Sequence, residues 1–286
     1  MLNSIDNLIR SSIENSTHEC IVDFSFETEL LLCEVINVER SWLKANPNYI
    51  LSDEQEIKFS KLKLRREKGE PIAYITGTRG FWTLDLKVNE SVLIPRPESE
   101  LIVELVLDLP LTTKADVLDL GTGSGALALA LASERKGWSI TGTDVSTDAL
   151  KVAEFNKEYH RLNNVEFMES FWFEGFENRS PDQSKFDLIV SNPPYLGKDD
   201  PHLDKGDLKY EPNIALVAAE NGKADLETII FSSVTFLRDQ GWLLVEHGFD
   251  QALIVRKFFG EAGFKKCQTV KDLNNHDRVT MGLLEF

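Results

Sequence analysis

Across residues 1–70 apolar positions recur at steps of three and four: Phe26, Leu30, Leu31, Val35 and Val38 fall on one helical face, and no period-two run interrupts them. Ser52 with Gln55 three places on has the form of a capping box, which predicts a helix running on to Gly69 and Pro71. A small helical N-terminal domain is expected over 1–70. Between Ile72 and Ile94 the pattern turns. The segments AYITGT, FWTLDLKV and SVLIP are rich in β-branched and aromatic residues and broken by glycine or Asn89, which predicts a β-hairpin connector over 71–97. Pro95-Arg96-Pro97 forces an extended path, because proline fixes its own φ and restricts the residue before it. The domain junction is expected there.

From Glu98 helix-period and strand-period segments alternate. A helix near 98–108, strand ADVLDL, a helix over 125–135, strand SITGTDV, a helix over 147–161 and strand VEFMES come first. Strand FDLIVSN, a helix near 223–238, strand GWLLVEHG, a helix over 250–262 and a closing strand near 279–285 complete the pattern. Such alternation specifies an α/β fold, a parallel sheet with helices on both faces, over 98–286. Phe173 to Lys185 is polar and poorly patterned and reads as a variable surface loop.

Composition narrows the function. Hydrophobic residues at 42% and charged residues at 27% suit a globular protein, and a net charge of −16 disfavours stable binding to nucleic acid and favours a small ligand or a protein partner. The local exception, the basic stretch Lys58 to Lys68, reads first as a solvated helix face and second as a patch for RNA or an acidic surface. Cys20, Cys33 and Cys267 are too few and too scattered for a disulfide framework or a zinc site, and the histidines, His202 and His247 among them, lack ligand spacing, so no metal is expected. With no signal-peptide core and no apolar run of membrane-spanning length, the expectation is a cytoplasmic protein, not a membrane one, and a monomer.

Strand ADVLDL runs into Gly121-Thr122-Gly123-Ser124-Gly125 and then into a helix, a loop whose glycines let a ligand approach bare backbone at a helix N-terminus. Asp144 ends the next strand, 23 residues after Gly121, where its carboxylate can accept from both hydroxyls of a ribose. These two elements do not separate a nicotinamide cofactor from S-adenosylmethionine. Asp119, just before the loop, can orient loop amides or hold a ligand amine. Trp172 can stack on adenine or pack beside Phe171 and Phe173.

Asn192-Pro193-Pro194-Tyr195 is the tetrapeptide that points to chemistry. Two prolines after a buried strand end the ladder, remove two donors and leave carbonyl acceptors outward, at the strand ends where open α/β sheets bind ligands. A planar NH2 group is a weak nucleophile, its lone pair being delocalised. The Asn192 oxygen and the Pro193 carbonyl can fix both of its hydrogens and aim the nitrogen at a methyl sulfonium, with Tyr195 packed on the plane; such orientation is worth up to roughly 7–11 kcal/mol in favourable models.

The chain resembles the N5-glutamine methyltransferases that modify the Gly-Gly-Gln loop of peptide-chain release factors. The likeness rests on EPIAYITG, FWTLDLKV, VLIPRPESE, VLDLGTGSGALALALA, SNPPYL, Glu211-Pro212, LVEHGFDQ and DLNNHDR, and it runs over nearly the whole length. It departs modestly, with Ser99 where threonine is usual and Phe171 where aspartate is common. The resemblance implies a Rossmann-like methyltransferase sheet, S-adenosylmethionine as donor and S-adenosylhomocysteine as product. It also implies Gly121 to Gly125 at the methionine and ribose portion of the cofactor, Asp144 at the ribose hydroxyls, Trp172 on the adenine side and Asn192 close to the cofactor. Asn192 through Tyr195 would hold the substrate glutamine, and residues 1–70 would dock the release factor. Two alternatives stand beside it: a nucleic-acid amino methyltransferase of the adenine N6 type, since NPPY is shared with those enzymes, and a ribosomal-protein glutamine methyltransferase. A scaffold that binds no cofactor is the non-enzymatic alternative.

Overall fold

The computed structural model describes residues 4–14, 21–177, 184–201, 203 and 206–286. Cys20, His202 and residues 178–183 of the expected surface loop lie outside them. The chain divides into two compact units, Met1–Gly77 and Thr78–Phe286.

The first unit is helical: α1 (Ile5–Glu14), α2 (Ile21–Ile36), α3 (Arg40–Ala45), α4 (Asp53–Glu67) and α5 (Ile72–Thr76). Leu31, Leu32, Leu43, Phe59, Leu62 and Ile75 are among the residues of its core. The capping box forms as expected, with the Gln55 amide donating to Ser52 Oγ at 3.3 Å and the Ser52 amide to Gln55 Oε1 at 3.0 Å. Much of the basic stretch is spent within the unit. Lys58 meets Glu34 at 3.1 Å and Arg66 meets Glu27 at 2.8 Å, so these charges pair with α2 rather than simply facing solvent. AYITGT, expected as a strand, is instead the helix α5, closed by Gly77 at φ +71. Burial of Ala73 and Ile75 in a helical core overrides the local β preference of the segment.

The second unit opens with the antiparallel hairpin β1 (Thr78–Phe81) and β2 (Leu84–Lys87). SVLIP runs on without strand pairing. A short turn, Pro97–Ser99, leads into α6 (Glu100–Leu107). There follow β3 (Asp116–Leu120), α7 (Ala126–Glu134), β4 (Ser139–Asp144), α8 (Thr147–Tyr159), β5 (Val165–Glu169) and β6 (Phe186–Ser191). The unit ends with α9 (Ala219–Gly222), α10 (Ala224–Phe236), β7 (Leu237–Glu246), α11 (Ala252–Glu261), β8 (Lys265–Lys271) and β9 (Asp277–Leu283). Phe173 and Phe176 are buried in the sheet's core, so the expected loop starts as packed structure rather than surface.

The sheet has the order β5-β4-β3-β6-β7-β9-β8, parallel through β7, with β9 antiparallel between β7 and β8. Strand β8 was not expected from sequence: KKCQTVK is an edge strand with mostly exposed or half-exposed side chains, and little apolar alternation marks it. The strand order reverses between β3 and β6, the switch point where such sheets bind ligands. Side chains alternate between two cores. Val117, Leu188, Val190 and Leu244 face one, with α6 and α7; Leu118, Ile189, Leu243 and Val245 face the other, with α10 and α11. The same parity carries Asp119, Asn192 and Glu246 to the α6 side at the carboxyl edge of three neighbouring strands.

Candidate active site

At that edge a cavity of about 310 Å³ is lined by Gly121, Gly123, Asp144, Trp172, Asn192 and Pro194, among others. The structure thus brings together most of the residues singled out in the sequence. Thr122, Ser124 and Gly125 build the loop from beneath, and Pro193 and Tyr195 flank the lining residues of the shelf.

Gly121, Gly123 and Gly125 sit at φ +71, +55 and +84, the left-handed region that glycine reaches without a Cβ clash. A Cβ on Gly123 would meet nothing within 4 Å, so the loop backbone lies open. Asp144 ties loop to strand end: Oδ2 accepts from the Gly123 amide at 2.9 Å and Oδ1 from the Ser146 amide at 2.9 Å. The Val145 amide is a third donor to this carboxylate, whose four lone-pair sites still leave acceptor capacity. Burial raises the Asp144 carboxyl above its ordinary range, and the bonds from Ser146 and Gly123 oppose the rise. Asp119, 1% exposed, accepts from Thr122 Oγ1 at 2.6 Å and the Ala128 amide at 3.2 Å through Oδ2. Its Oδ1 is buried with no partner among the described residues, and burial pushes the carboxyl up to about 7. Asp119 thus meets the loop through the Thr122 hydroxyl and α7 through the Ala128 amide, rather than through loop amides.

Trp172 is held at φ +46, unusual for a bulky residue. Ser170 Oγ donates to its carbonyl at 2.9 Å and its indole Nε1 donates to Asp225 at 3.2 Å, which fixes the ring half-buried along the cavity wall. Phe171 is exposed beside it.

The Asn192 shelf is braced on both sides. Asn192 Nδ2 donates to Ser99 Oγ at 2.9 Å, Ser99 Oγ donates to Glu246 Oε2 at 2.6 Å, and the Tyr195 hydroxyl donates to Glu246 Oε1 at 3.4 Å. With Nδ2 committed, Oδ1 is the acceptor that Asn192 has left to offer. Beyond the shelf, Leu196 bridges to Val217. The segment leading to that bridge is pinned where Arg96 meets Glu211 at 2.5 Å. Gly222, at φ +83, packs so closely that a Cβ would lie 2.0 Å from the Tyr195 carbonyl oxygen. Gly222→Ala is therefore expected to destabilise this unit by about 1–3 kcal/mol, read as a lower thermal midpoint.

Sequence reasoning had not assigned roles here to Ser99, Glu246, Asp225, Arg96 or Gly222. Glu246 carried a usable signal, a lone carboxylate ending the apolar run LLVE at the same sheet edge as Asp144 and Asn192. Asp225, 53 residues from Trp172, had none. Among the described residues no cluster of three or more His, Cys, Asp or Glu side chains is placed to hold a metal, and no helix is long and apolar enough to cross a membrane.

Comparison with known proteins adds to this geometry. Residues 98–204 match the Methyltransferase small domain and residues 19–77 the PrmC N-terminal domain. The chain is 44% identical over 279 residues to the release factor glutamine methyltransferase of Aliivibrio fischeri, covering 98% of this chain and 97% of that one. To the protein of the same name in Vibrio cholerae it is 45% identical, covering 90% and 89%. Among solved structures, a methyltransferase from Pyrococcus furiosus aligns at a TM-score of 0.55 and 17% identity over 79% of this chain and 100% of that one. A T. thermophilus 16S rRNA methyltransferase in complex with AdoMet and guanosine aligns at 0.53 and 20% over 73% and 50%. At those identities the structures speak for the fold alone.

Proposed function

Since the chain belongs to the release factor glutamine methyltransferases, we propose that it transfers a methyl group from S-adenosylmethionine to the side-chain amide nitrogen of the glutamine in the Gly-Gly-Gln loop of a peptide-chain release factor. S-adenosylhomocysteine is the other product. The observation that carries this reading is the juxtaposition, in one cavity, of the Asn192 shelf with the glycine loop, Asp144 and Trp172.

The residues fit that cofactor. The open backbone at Gly123, the spare acceptor capacity of Asp144 beside it, and the buried Asp119 Oδ1, which has no partner among the described residues, supply an approach surface, hydroxyl acceptors and an acceptor suited to an ammonium group. Trp172, fixed by Asp225, offers an aromatic face for the adenine. When bound, S-adenosylmethionine supplies an electrophilic methyl on a positively charged sulfur.

The remaining work falls to the shelf. Asn192 Oδ1 and the Pro193 carbonyl accept one amide hydrogen each, which fixes the NH2 plane and aims the nitrogen lone pair at the methyl carbon. Tyr195 packs on the plane and keeps water out. The amide nitrogen forms the new C–N bond as the C–S bond breaks, and it releases one proton to solvent afterwards, so no strong base is needed. Residues 1–70 are proposed as the docking domain for the release factor, which also suits an acidic protein that does not hold nucleic acid. A monomer acting in the cytoplasm is the matching proposal.

Labelled methyl transfer to purified release factor tests the reading. Label is expected on the wild-type factor and absent when its Gly-Gly-Gln glutamine is replaced; equal labelling of both contradicts the assignment. Asp144→Ala is expected to weaken S-adenosylmethionine binding by about 1–3 kcal/mol, through unpaired ribose hydroxyls and a loosened Gly123. Calorimetry with unchanged affinity would remove Asp144 from the cofactor site.

A further inference from the structure

We infer that Ser99 and Glu246 are positioning residues that lock the Asn192 side-chain amide with its oxygen toward the substrate. The inference rests on the shelf reading above and adds the means by which the shelf is kept in one orientation.

Donor counting carries it. An asparagine amide is nearly symmetric in shape, and in a half-open cavity nothing steric prevents it from turning its NH2 toward the substrate. So turned, it would present hydrogens to hydrogens and repel the NH2 group it is meant to hold. Ser99 decides the matter. Its hydroxyl has one hydrogen, and that hydrogen is given to Glu246 Oε2 at 2.6 Å. Toward Asn192, Ser99 Oγ can therefore only accept, so the group it faces at 2.9 Å must be Nδ2. A flipped amide would set two acceptor oxygens at that distance. Ser99 is 4% exposed and Glu246 1%, so water does not compete for either bond.

Glu246 holds the relay in this polarity while it is ionised. Tyr195 faces it from the end of β6 with a hydroxyl at 3.4 Å, and the Arg278 guanidinium favours its charge from β9, where Asp272 holds Arg278 at 3.1 Å. Glu98 opposes the charge from the turn before α6. Burial lowers the proton affinity of His247, the next residue, whose Nε2 bonds Thr280 Oγ1 instead. Burial is the largest influence on Glu246 and pushes its carboxyl up to about 7. Once protonated, Glu246 can donate to Ser99 Oγ, which frees the Ser99 hydrogen to point at Asn192 Oδ1. The lock is then lost, and methyl transfer falls as pH drops through about 7. Asp119 is pushed to the same range on the cofactor side, so the acid limb of the wild-type profile belongs to Glu246 only if changing Glu246 removes it.

The test is single-turnover methyl transfer to release factor across this range, with cofactor saturating, for wild type, Ser99→Ala, Ser99→Thr and Glu246→Gln. Ser99→Ala is expected to lower the rate roughly 10²-fold, the scale of a misoriented reacting group, with cofactor affinity and the KM for release factor unchanged. Ser99→Thr, which keeps the hydroxyl, restores the rate. Glu246→Gln still accepts from Ser99 through its amide oxygen and loses the acid limb. A Ser99→Ala rate near wild type, or an acid limb that persists in Glu246→Gln, overturns the inference. Failure of wild type to methylate release factor would instead sink the functional reading. The lock has its own readout in that event: the Asn192 side-chain NH2 resonances, identified by their loss in Asn192→Asp, should shift with pH in wild type and not in Glu246→Gln. Identical titrations in the two proteins count against it.

Discussion

Asn192→Ala is expected to lower the rate of methyl transfer by about 10²–10³-fold while S-adenosylmethionine affinity stays close to wild type. The magnitude is that of removing one preorganised hydrogen-bonding group aimed at a reacting centre. A carboxamide nitrogen attacks poorly in any case, so loss of one of two acceptors leaves the NH2 plane free to rotate away from the methyl carbon, and the orientation term is forfeited. The split between rate and affinity follows from geometry. Asn192 borders the cavity but is bonded to Ser99, whereas the glycine loop, Asp144 and the indole of Trp172 are held by other partners. The shelf should survive the change, because Ser99 remains bonded to Glu246 and Leu196 remains bridged to Val217. Single-turnover kinetics beside calorimetry of the same preparation checks both halves, and a rate within threefold of wild type would end the role assigned to Asn192.

The largest loss of stability is expected from Arg96→Ala. The Glu211 side chain is 0% exposed, and burial raises its carboxyl while the Arg96 guanidinium at 2.5 Å is the first influence that opposes the rise. Removing the cation leaves a buried carboxylate with, among the described residues, only the Ile94 amide, at 3.4 Å, to bond it. Breaking a buried pair in this way costs about 3–5 kcal/mol, which for a domain of this size lowers the thermal midpoint by roughly 2–4 °C per kcal/mol. The exposed pair Lys151–Asp148, 76% and 66% accessible, sets the contrast: Lys151→Ala should change stability by less than about 1 kcal/mol. Equal effects in thermal melts of the two variants would show that the Glu211 pair contributes no more than a surface contact. Because Glu211 pins the segment that leads to Leu216, the activity of Arg96→Ala is also expected to fall at temperatures where the protein is still folded.

How much of this was legible beforehand follows from the kind of signal each residue carries. The alternating sheet and its helices were readable because buried strands such as VLDL and LIVS, and the helix ALALALA, satisfy their patterns locally. Two segments misled for opposite reasons. AYIT carries β-type residues, yet a helical core takes up Ile75, and Gly77 ends the helix in the left-handed region. KKCQTVK carries little pattern at all, since an edge strand is bonded on one side only and buries little. At the site, the glycine loop and NPPY stand out in the sequence because each is a run of consecutive residues, and Asp144 because it ends the next strand; the structure sets residues of all three round one cavity. Ser99 and Glu246 lie 147 positions apart, and Arg96 and Glu211 lie 115 apart. Pairings across such separations depend on sheet order, which no local pattern encodes. Ser99 stands where threonine is usual in the family it resembles, and the hydroxyl common to both residues is what the fold uses.

We propose that the acceptors at the end of β6 hold a glutamine amide for methylation. Fragmentation mass spectrometry of release factor incubated with the protein and S-adenosylmethionine tests it most directly. The expected spectrum places a single methyl on the side-chain nitrogen of the Gly-Gly-Gln glutamine. A methyl found on another residue, or on an adenine of added RNA with the release factor unmodified, would contradict it.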